Sequence, residues 1–388
     1  MDGTSSLRHS ALMESVDQAI SIKYNNLVYD LKATGHDIIT LSLGESYFDV
    51  PAPDFGGIDP GELHHYAHSR GLPELRRQLA KYYGDQFGLP VDPDHEILIT
   101  AGSKVAIYLA LLATVEPGDE VVVLEPFWLS YPTQVRLCGG MPVMVPHDVE
   151  IFELARYLTG RTRAIIINNP NNPSGRVYTA AELEFLHELA DRHGLLLVVD
   201  EAYNEFVAPG TRFVSCGAAD PDKRHTMTVN SMSKNYGISG WRVGYVIAHQ
   251  ALVEQILKVN QHLITCAPTP LMRYLADHFD SLIERTRPQI QHVVATRNEV
   301  AGWLAARGIE VLPGEATFYL FASLGRSALG SDEFAERLLR ESGVSVVPGI
   351  AYGDSCDRHI RISVGTETPE RIRRGLDAIG RLIESSGG

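Results

Sequence analysis

The chain has 388 residues, a length that suits a large domain with a smaller one beside it. Its 34 basic and 48 acidic residues give a net charge of −14, which argues against a nucleic-acid partner, because such proteins usually present a basic surface. No apolar stretch approaches the length that spans a bilayer, and residues 1–10 lack the apolar segment of a secretory signal, so no membrane association is expected.

The cysteine and histidine positions indicate neither disulfides nor a metal site. Cys138, Cys216, Cys266 and Cys356 are widely scattered and form no Cys-x-x-Cys pair, which is typical of reduced packing thiols in a cytoplasmic protein. The 15 histidines show no metal-ligand spacing, so we expect no metal.

The N-terminal part mixes helical and irregular chain. Residues 11–34 carry apolar positions at helical spacing, and Gly35 is a suitable helix stop. A short strand is expected over residues 37–43, ending at Gly44. Pro-rich irregular chain follows, and Pro73 suits the first turn of the next helix.

From about Glu96 strands and helices alternate. The apolar runs are short and continuous, which predicts strands covered on both faces in a mostly parallel sheet with helices outside. The strand at 243–247 follows its predecessor too closely for a parallel crossover and should run antiparallel to its neighbour. The predicted strands are 97–100, 120–124, 163–168, 195–200, 226–230 and 243–247, with helices at about 101–115 and 179–193.

The C-terminal part has the mixed pattern of an α+β domain. Beyond Leu252 a long helical region is expected, and the change of pattern comes at about Arg297. The predicted order from there is a helix, a strand at 317–321, a helix at 332–341, strands at 344–347 and 359–364, and a last helix from Pro369. No internal repeats occur, which excludes repeat architectures.

One stretch of chain, from Ser231 to Arg242, places Lys234 directly after a predicted buried strand. Two interpretations fit it. In the first, Lys234 is a solvated loop residue and Arg242 forms a surface ion pair. In the second, Lys234 is a desolvated Schiff-base amine, while Ser231, Ser233 and Arg242 surround a phosphate.

Further polar and aromatic residues follow the predicted strand ends, where open α/β sheets bind ligands. The Gly-Ser-Lys sequence at 102–104 can offer backbone N–H groups to a phosphate or act as an ordinary cap. Trp128 could stack on a flat heteroaromatic ring or pack in the core. The loop 168–175 holds four Asn and two Pro, with Pro173 as a candidate cis proline.

Two charged residues lie within apolar strands. Asp200 ends the predicted strand at 195–200, either as a helix N-cap or as the partner of a protonated ring nitrogen. Arg361 lies in the strand at 359–364, where it could clamp a substrate carboxylate or form an internal salt bridge.

Five motifs then carry a resemblance that covers the chain from about Ile38 to its end. They are Asn-Pro-Asn-Asn-Pro-Ser-Gly at 169–175, Val-Asp-Glu-Ala-Tyr at 199–203, Ser-Met-Ser-Lys at 231–234, Gly-Trp-Arg-Val-Gly-Tyr at 240–245 and Ile-Arg-Ile-Ser at 360–363. Together they closely resemble the class I/II aminotransferases, which are fold-type-I pyridoxal-phosphate enzymes. The resemblance implies a large domain of residues 46–290, with a mostly parallel seven-stranded sheet flanked by helices, and a small α+β domain built from residues 1–45 and 291–388.

The resemblance also implies a role for each candidate residue. Lys234 would form the internal aldimine with pyridoxal 5′-phosphate and then carry the proton between the substrate Cα and the cofactor's C4′. Asp200 would pair with the pyridinium nitrogen, Asn172 and Tyr203 would bond the 3-oxygen, and Trp128 would stack on the ring. The phosphate would be bound by Gly102, Ser103, Lys104, Ser231, Ser233 and Arg242, with Tyr66 reaching in from the other subunit of a homodimer. The substrate would contact Arg361, through its α-carboxylate, and Gly44, Trp128, Asn172 and Lys104.

Departures from the family pattern bear on the substrate. The chain has Gly44-Glu-Ser-Tyr-Phe where Gly-Glu-Pro-Asp-Phe is common, and Thr317 replaces the glycine usual before Phe318. Lys104 matches the aspartate and prephenate aminotransferase branch, where a lysine at this place contacts the distal carboxylate. This match, together with the Phe-Trp-Leu-Ser-Tyr sequence at 127–131, favours a dicarboxylic substrate, although a solvated lysine at a helix start explains it nearly as well.

The expected activity is the ping-pong exchange of an amino group between an L-amino acid and a 2-oxo acid. A lyase, cyclase or β/γ-replacement enzyme on the same fold is the alternative, for which the altered Ser46-Tyr47 segment is the sequence motive. A non-catalytic sensor is a third hypothesis, since this scaffold also occurs fused to DNA-binding modules. The chain has no basic helix-turn-helix extension before the enzyme body, which disfavours the sensor.

Overall fold

The computed structural model describes residues 10–14, 16–211 and 213–387. Residues 1–9, on which the expectation about a secretory signal mainly rests, lie outside the described residues. Its strands are β1 (Ile39–Thr40), β2 (Ile97–Thr100), β3 (Glu120–Leu124), β4 (Met141–Val145), β5 (Thr162–Asn168), β6 (Leu196–Asp200), β7 (Thr226–Ser231), β8 (Gly244–Ile247), β9 (Tyr319–Ser323), β10 (Val344–Ser345), β11 (Val347–Pro348) and β12 (His359–Ser363). Its α-helices are α1 (Ala11–Glu14), α2 (Ile20–Ala33), α3 (Pro60–His64), α4 (Pro73–Phe87), α5 (Ser103–Thr114), α6 (Tyr131–Leu137), α7 (Ala180–His193), α8 (Met232–Asn235), α9 (Gln250–Leu263), α10 (Thr269–Ala305), α11 (Ser331–Ser342) and α12 (Pro369–Ser385).

The predicted α/β fold with a mostly parallel sheet is confirmed. Seven strands lie in the order β2-β8-β7-β6-β5-β3-β4. β8 runs antiparallel to both of its neighbours, as its short connection to β7 predicted, and the other pairs are parallel. The central strands are almost fully buried, which agrees with their uninterrupted apolar sequences.

Local sequence explains where several helices begin and end. α7 begins with a capping box, in which Thr179 and Glu182 satisfy each other's backbone N–H groups, and it ends at Gly194 with φ +63°. α12 begins at the Thr368 cap followed by proline. These signals account for the accurate prediction of both helix starts.

β4 was missed because its sequence, Met-Pro-Val-Met-Val, contains a proline and lies at a sheet edge. Pro142 donates no ladder hydrogen bond, and edge strands tolerate this loss. The helix expected from about residue 297 is instead the last part of α10, which already begins at Thr269. The helix expected over 11–34 is divided into α1 and α2.

The C-terminal strands also differ in detail from the expectation. The single strand predicted at 344–347 is two strands, because β10 pairs with β1 while β11 pairs with β12 in the sheet β11-β12-β9. β9 begins at Tyr319 rather than 317, since Thr317 has φ +65° and leaves the extended region there.

The two ends of the chain share one buried cluster. Tyr24 of α2 and Ile39 of β1 belong to the same apolar cluster as Phe334 of α11 and Leu376 of α12. The N-terminal segment therefore packs with the C-terminal part of the chain, next to the mouth of the large sheet.

Candidate active site

A cavity of about 430 Å³ opens at the carboxyl ends of the central strands. Asn168, Asp200 and Ser231, the last residues of β5, β6 and β7, all line it. Further walls come from α2, the N-terminus of α5, the 43–45 segment and the small sheet β11-β12-β9. This edge is where open α/β sheets bind their ligands.

Lys234 lies in the wall of this cavity. The short helix α8 follows β7 directly and is capped by Ser231, whose hydroxyl accepts the Ser233 N–H at 3.1 Å. Lys234 Nζ donates to the Gly44 carbonyl oxygen. Burial lowers the pKa of Lys234 to about 8, with the nearby cations Arg361 and Arg242 adding to the effect and the carboxylates Glu45 and Asp200 opposing it.

Asp200 is 6% exposed and its carboxylate is hydrogen-bonded on both oxygens. The Tyr131 hydroxyl donates to Oδ2 at 2.8 Å, and the Ala202 N–H donates to Oδ1 at 3.2 Å. Residues 202–205 form turns and not a helix, so the interpretation of Asp200 as a helix N-cap is wrong. Burial raises the pKa of Asp200 to about 6, while these two bonds and the charge of Lys234 hold it lower than burial alone would.

Asn172, Tyr203 and Arg361 meet on the side of the cavity that faces the small sheet. Asn172 Nδ2 lies 3.5 Å from the Tyr203 hydroxyl, and Arg361 Nη1 donates to Asn172 Oδ1 at 3.3 Å. Arg361 Nη2 donates to the Ser42 carbonyl at 2.6 Å. Among the described residues Arg361 forms no salt bridge and its Nε has no hydrogen-bond partner, so this buried cation has capacity for an anion. The Asn172–Pro173 peptide bond is cis, as predicted.

A cluster of donors lies between the start of α5 and α8. Arg242 Nη1 donates to Ser233 Oγ at 3.3 Å, and Ser103 and Ser231 line the same end of the cavity. Gly102 has φ +89°, and a Cβ there would clash with the Arg242 guanidinium, so only glycine lets the helix start approach this arginine. Hydroxyls, a guanidinium and a helix N-terminus form a donor set that fits a phosphate.

Trp128 and Lys104 form the adjoining wall. Lys104 Nζ lies 5.0 Å from the centroid of the Trp128 ring, and the ring packs edge-on against Tyr131 at 5.2 Å. Desolvation at the wall, with a contribution from Arg242, lowers the pKa of Lys104. Both side chains line the cavity.

Tyr66 lies apart from the other predicted residues. It is 85% exposed and lines a second groove, together with His64, His65 and residues 266–270. Gly102 is behind the cavity wall, and the remaining predicted residues all line the cavity itself.

No role was expected for Ser21, Ile22 and Asn25 of α2, which line the cavity. Nor was a role expected for four residues that contact or face the predicted ones. Asn168 Oδ1 accepts the Asn172 N–H at 2.6 Å, and Tyr131 bonds Asp200. Glu45 accepts from the Ser239 hydroxyl at 2.6 Å and faces Lys234, and the Tyr319 hydroxyl lies 3.0 Å from that of Tyr203. Three of these residues lie in segments that the sequence had already singled out, namely Asn168 in the loop 168–175, Tyr131 in the segment 127–131 and Glu45 next to Gly44. Nothing in the sequence distinguished Tyr319 from the other residues of its predicted strand.

Within the described residues, no helix combines the length and apolarity needed to cross a membrane. The same part of the chain has no group of three or more His, Cys, Asp or Glu side chains arranged to hold a metal ion.

Comparisons with known proteins identify the family. A family model described as aminotransferase class I and II matches residues 39–379. An aromatic-amino-acid aminotransferase of Thermococcus litoralis is 32% identical over 92% of this chain and 94% of its own length. An aspartate aminotransferase of Geobacillus stearothermophilus is 32% identical over 97% of this chain and 98% of its own length.

Solved structures agree with this match. The aspartate aminotransferase of Thermus thermophilus with maleate is 30% identical, covers 97% of this chain and 100% of its own, and has a TM-score of 0.89. None of these comparisons favours the lyase, cyclase or replacement chemistry that the sequence left open. The chain therefore belongs to the class I and II aminotransferases and is a pyridoxal-phosphate-dependent aminotransferase of fold type I.

Proposed function

We propose that the protein exchanges an amino group between an L-amino acid and a 2-oxo acid with Lys234 as nucleophile and proton carrier. The observation that carries this proposal is the Lys234 ammonium itself, half-buried in the cavity wall with its pKa lowered to about 8. At neutral pH an accessible fraction of such a lysine is neutral, and a neutral amine is what attack on an aldehyde and removal of a proton from carbon both require.

The surrounding residues would hold the cofactor by its polar ends. When bound, pyridoxal phosphate supplies an electron-poor ring that takes up the electrons of the bond broken at the substrate Cα. Asp200 would accept a hydrogen bond from the protonated ring nitrogen, with its carboxylate kept in place by Tyr131. Trp128 would cover one face of the ring, while Asn172 and Tyr203 would bond its 3-oxygen.

The donor cluster at the α5 start would bind the phosphate. Its members are Gly102, Ser103, Lys104, Ser231, Ser233 and Arg242. Because these groups are already held by hydrogen bonds such as Arg242 to Ser233, little ordering is needed when the phosphate binds.

Arg361 would bind the substrate α-carboxylate. It is 4% exposed, and its guanidinium is oriented by the Ser42 carbonyl and Asn172. Its unpaired Nε supports this role, because a buried guanidinium gains a bidentate partner when a carboxylate arrives. Gly44, whose carbonyl contacts Lys234, would lie beside the same carboxylate.

The reaction can be tested with the cofactor-loaded protein. Adding a donor amino acid should change the absorbance of the bound cofactor, and adding a 2-oxo acid should restore it. Lys234→Ala should lower the rate by at least about a hundredfold, whereas Lys258→Ala, which removes an exposed lysine, should not. Product formation by elimination or replacement, without reversible conversion of the cofactor, would overturn the proposal.

We further propose a dicarboxylic substrate whose distal carboxylate contacts Lys104. The Lys104 ammonium lines the cavity beside Trp128 and is partly desolvated, so a second carboxylate would gain from pairing with it. Relatives named as aspartate aminotransferases and aspartate/prephenate aminotransferases share the fold, as does one named for aromatic amino acids.

A donor screen with Lys104→Ala separates the possible roles of this lysine. If Lys104 binds the distal carboxylate, kcat/KM should fall for aspartate and glutamate and stay unchanged for phenylalanine. If it binds the cofactor phosphate alone, all donors should suffer equally. Unchanged use of every donor would remove Lys104 from the site.

The assembly is proposed as a homodimer in which Tyr66 completes the neighbouring site. Tyr66 is 85% exposed and lies on a different groove from the cavity of its own chain, which suits a side chain that serves a second copy.

We also propose that residues 46–290 form the large domain and that residues 1–45 and 291–388 form the small one, as the shared apolar cluster of both chain ends supports. The four free cysteines support a cytoplasmic location.

A further inference from the structure

Tyr319 lines the cavity of the proposed site, although none of the cofactor or substrate roles above belongs to it. It is 1% exposed, and its hydroxyl lies 3.0 Å from that of Tyr203. Its ring lies under the guanidinium of Arg361, with 4.5 Å between the Arg361 Cζ and the ring centroid. The Tyr319 side chain thus touches both the residue proposed for the substrate carboxylate and the one proposed for the cofactor's 3-oxygen.

The backbone of Tyr319 is held on both sides. Its N–H donates to Thr317 Oγ1 at 3.1 Å, and its carbonyl accepts from Arg297 Nε at 3.0 Å. Arg297 is 2% exposed and also donates to the Ser174 carbonyl, in the loop that carries Asn172. The small sheet and that loop are therefore fixed to each other through one buried arginine.

Thr317 adds a local constraint. It is fully buried with φ +65°, a conformation that is strained for a β-branched residue and that glycine adopts freely. Its N–H donates to the Phe206 carbonyl at 2.7 Å. A threonine retained in a position suited to glycine is explained by its hydroxyl, because that group supplies the acceptor for the Tyr319 N–H.

The direction of the hydrogen bond between the two tyrosines follows from their surroundings. Burial raises the pKa of both Tyr203 and Tyr319, so both are protonated at neutral pH and one must donate to the other. The Arg361 charge lowers the pKa of both phenols, and its guanidinium lies against the ring of Tyr319, so we assign Tyr319 as the donor. Each hydroxyl carries one proton, so a Tyr203 oxygen that accepts from Tyr319 has its own proton free to point into the cavity.

We propose that Tyr319 is a positioning residue whose hydroxyl donates to Tyr203 and so directs the Tyr203 proton to the 3-oxygen of the cofactor. This inference rests on the proposed role of Tyr203. Without the Tyr319 hydroxyl, Tyr203 would be a weaker hydrogen-bond donor, and more negative charge would remain on the 3-oxygen. The bound cofactor would then hold its ionisable proton more tightly, so its pKa would rise.

The test compares Tyr319→Phe with a matched control in the cofactor-loaded protein. Tyr319→Phe keeps the ring under Arg361 and removes one hydrogen bond. Tyr352→Phe removes another buried hydroxyl beside the same arginine, one that has no partner in the described part of the chain. The readout is the pH midpoint of the bound cofactor's visible absorbance, which a purely structural loss would not move in a defined direction.

Tyr319→Phe should raise this midpoint by about half to one pH unit, the equivalent of one neutral hydrogen bond, and Tyr352→Phe should leave it in place. We expect kcat to fall by about threefold to tenfold with little change in KM, because the carboxylate contact is untouched. Tyr203→Phe should raise the midpoint further, and adding Tyr319→Phe to it should cause no additional shift.

The outcomes separate the two proposals. If Tyr203→Phe moves the midpoint and Tyr319→Phe does not, the inference about Tyr319 is overturned alone. If Tyr203→Phe itself leaves the midpoint unchanged, the proposed role of Tyr203 fails first. Thr317→Gly provides a second variant that keeps the Tyr319 hydroxyl but removes one of its two backbone anchors, and it should shift the midpoint in the same direction by a smaller amount.

Discussion

The hydrogen bond from Tyr131 to Asp200 offers a quantitative test of the proposed ring-nitrogen contact. Tyr131→Phe removes a donor that lies 2.8 Å from a carboxylate oxygen and leaves the Ala202 N–H as the other contact. A hydrogen bond to a charged group contributes about 1.5–3 kcal/mol, and one pKa unit corresponds to about 1.4 kcal/mol. The pKa of Asp200, already raised to about 6 by burial, should therefore rise by about one to two further units.

This shift has a definite sign in cofactor binding. The pairing with a protonated ring nitrogen requires the Asp200 carboxylate, so binding weakens as the pH falls through its pKa. The fall of pyridoxal phosphate affinity at low pH is the acid limb of the binding profile. In Tyr131→Phe this acid limb should move to higher pH by the same one to two units, which measuring the affinity at a series of pH values would show. Tyr24→Phe is the matched control, because the Tyr24 hydroxyl donates to the Asp332 carboxylate at 3.0 Å and neither residue lines the cavity. An acid limb that stays in place in a folded Tyr131→Phe protein would refute the reasoning.

Three further predictions test other parts of the molecule. Burial raises the pKa of Glu201 to about 8, so the folded state keeps a proton that the unfolded chain releases, and the free energy of unfolding should fall as the pH rises from about 4.5 to 8. Glu201→Gln should remove this pH dependence of the free energy of unfolding, measured with urea, and the same pH dependence in both proteins would contradict the prediction. When Lys234→Ala and Tyr66→Phe subunits are mixed in equal amounts, about half of the dimers should be heterodimers, and each of these should have one intact site if Tyr66 acts in the neighbouring subunit. The mixture should therefore regain about a quarter of wild-type activity, whereas no recovery would show that Tyr66 serves its own chain. Gly102→Ala should weaken pyridoxal phosphate binding by about tenfold or more and leave pyridoxal binding unchanged, while Gly84→Ala, at an open helical position, should affect neither ligand.

The sequence predicted those parts of the site that lie at the ends of strong local patterns. Asp200 and Lys234 each follow a continuous apolar run, and such runs place the residues after them at one edge of a parallel sheet. Arg361 was predicted because a cation inside an apolar strand needs a partner. The motif resemblance supplied the roles of these residues, which local patterns alone left open between ordinary and functional interpretations.

The rest depended on contacts that only the folded chain defines. Tyr319 and Tyr203 are 116 positions apart and meet because the small sheet lies over the mouth of the large one. Tyr131 reaches Asp200 across 69 positions, through the packing of α6 on the sheet. The edge strand β4 was missed for a different reason, since the proline in its short apolar sequence is unfavourable in a strand that is not at an edge.

The central claim is that Lys234 is the amine that holds the cofactor. Borohydride reduction of the cofactor-loaded protein makes that attachment permanent, and mass spectrometry of its peptides then identifies the modified lysine. We expect the modification on Lys234 and its loss in Lys234→Ala. Modification of Lys104, the other lysine that lines the cavity, or a failure to modify any lysine, would contradict it.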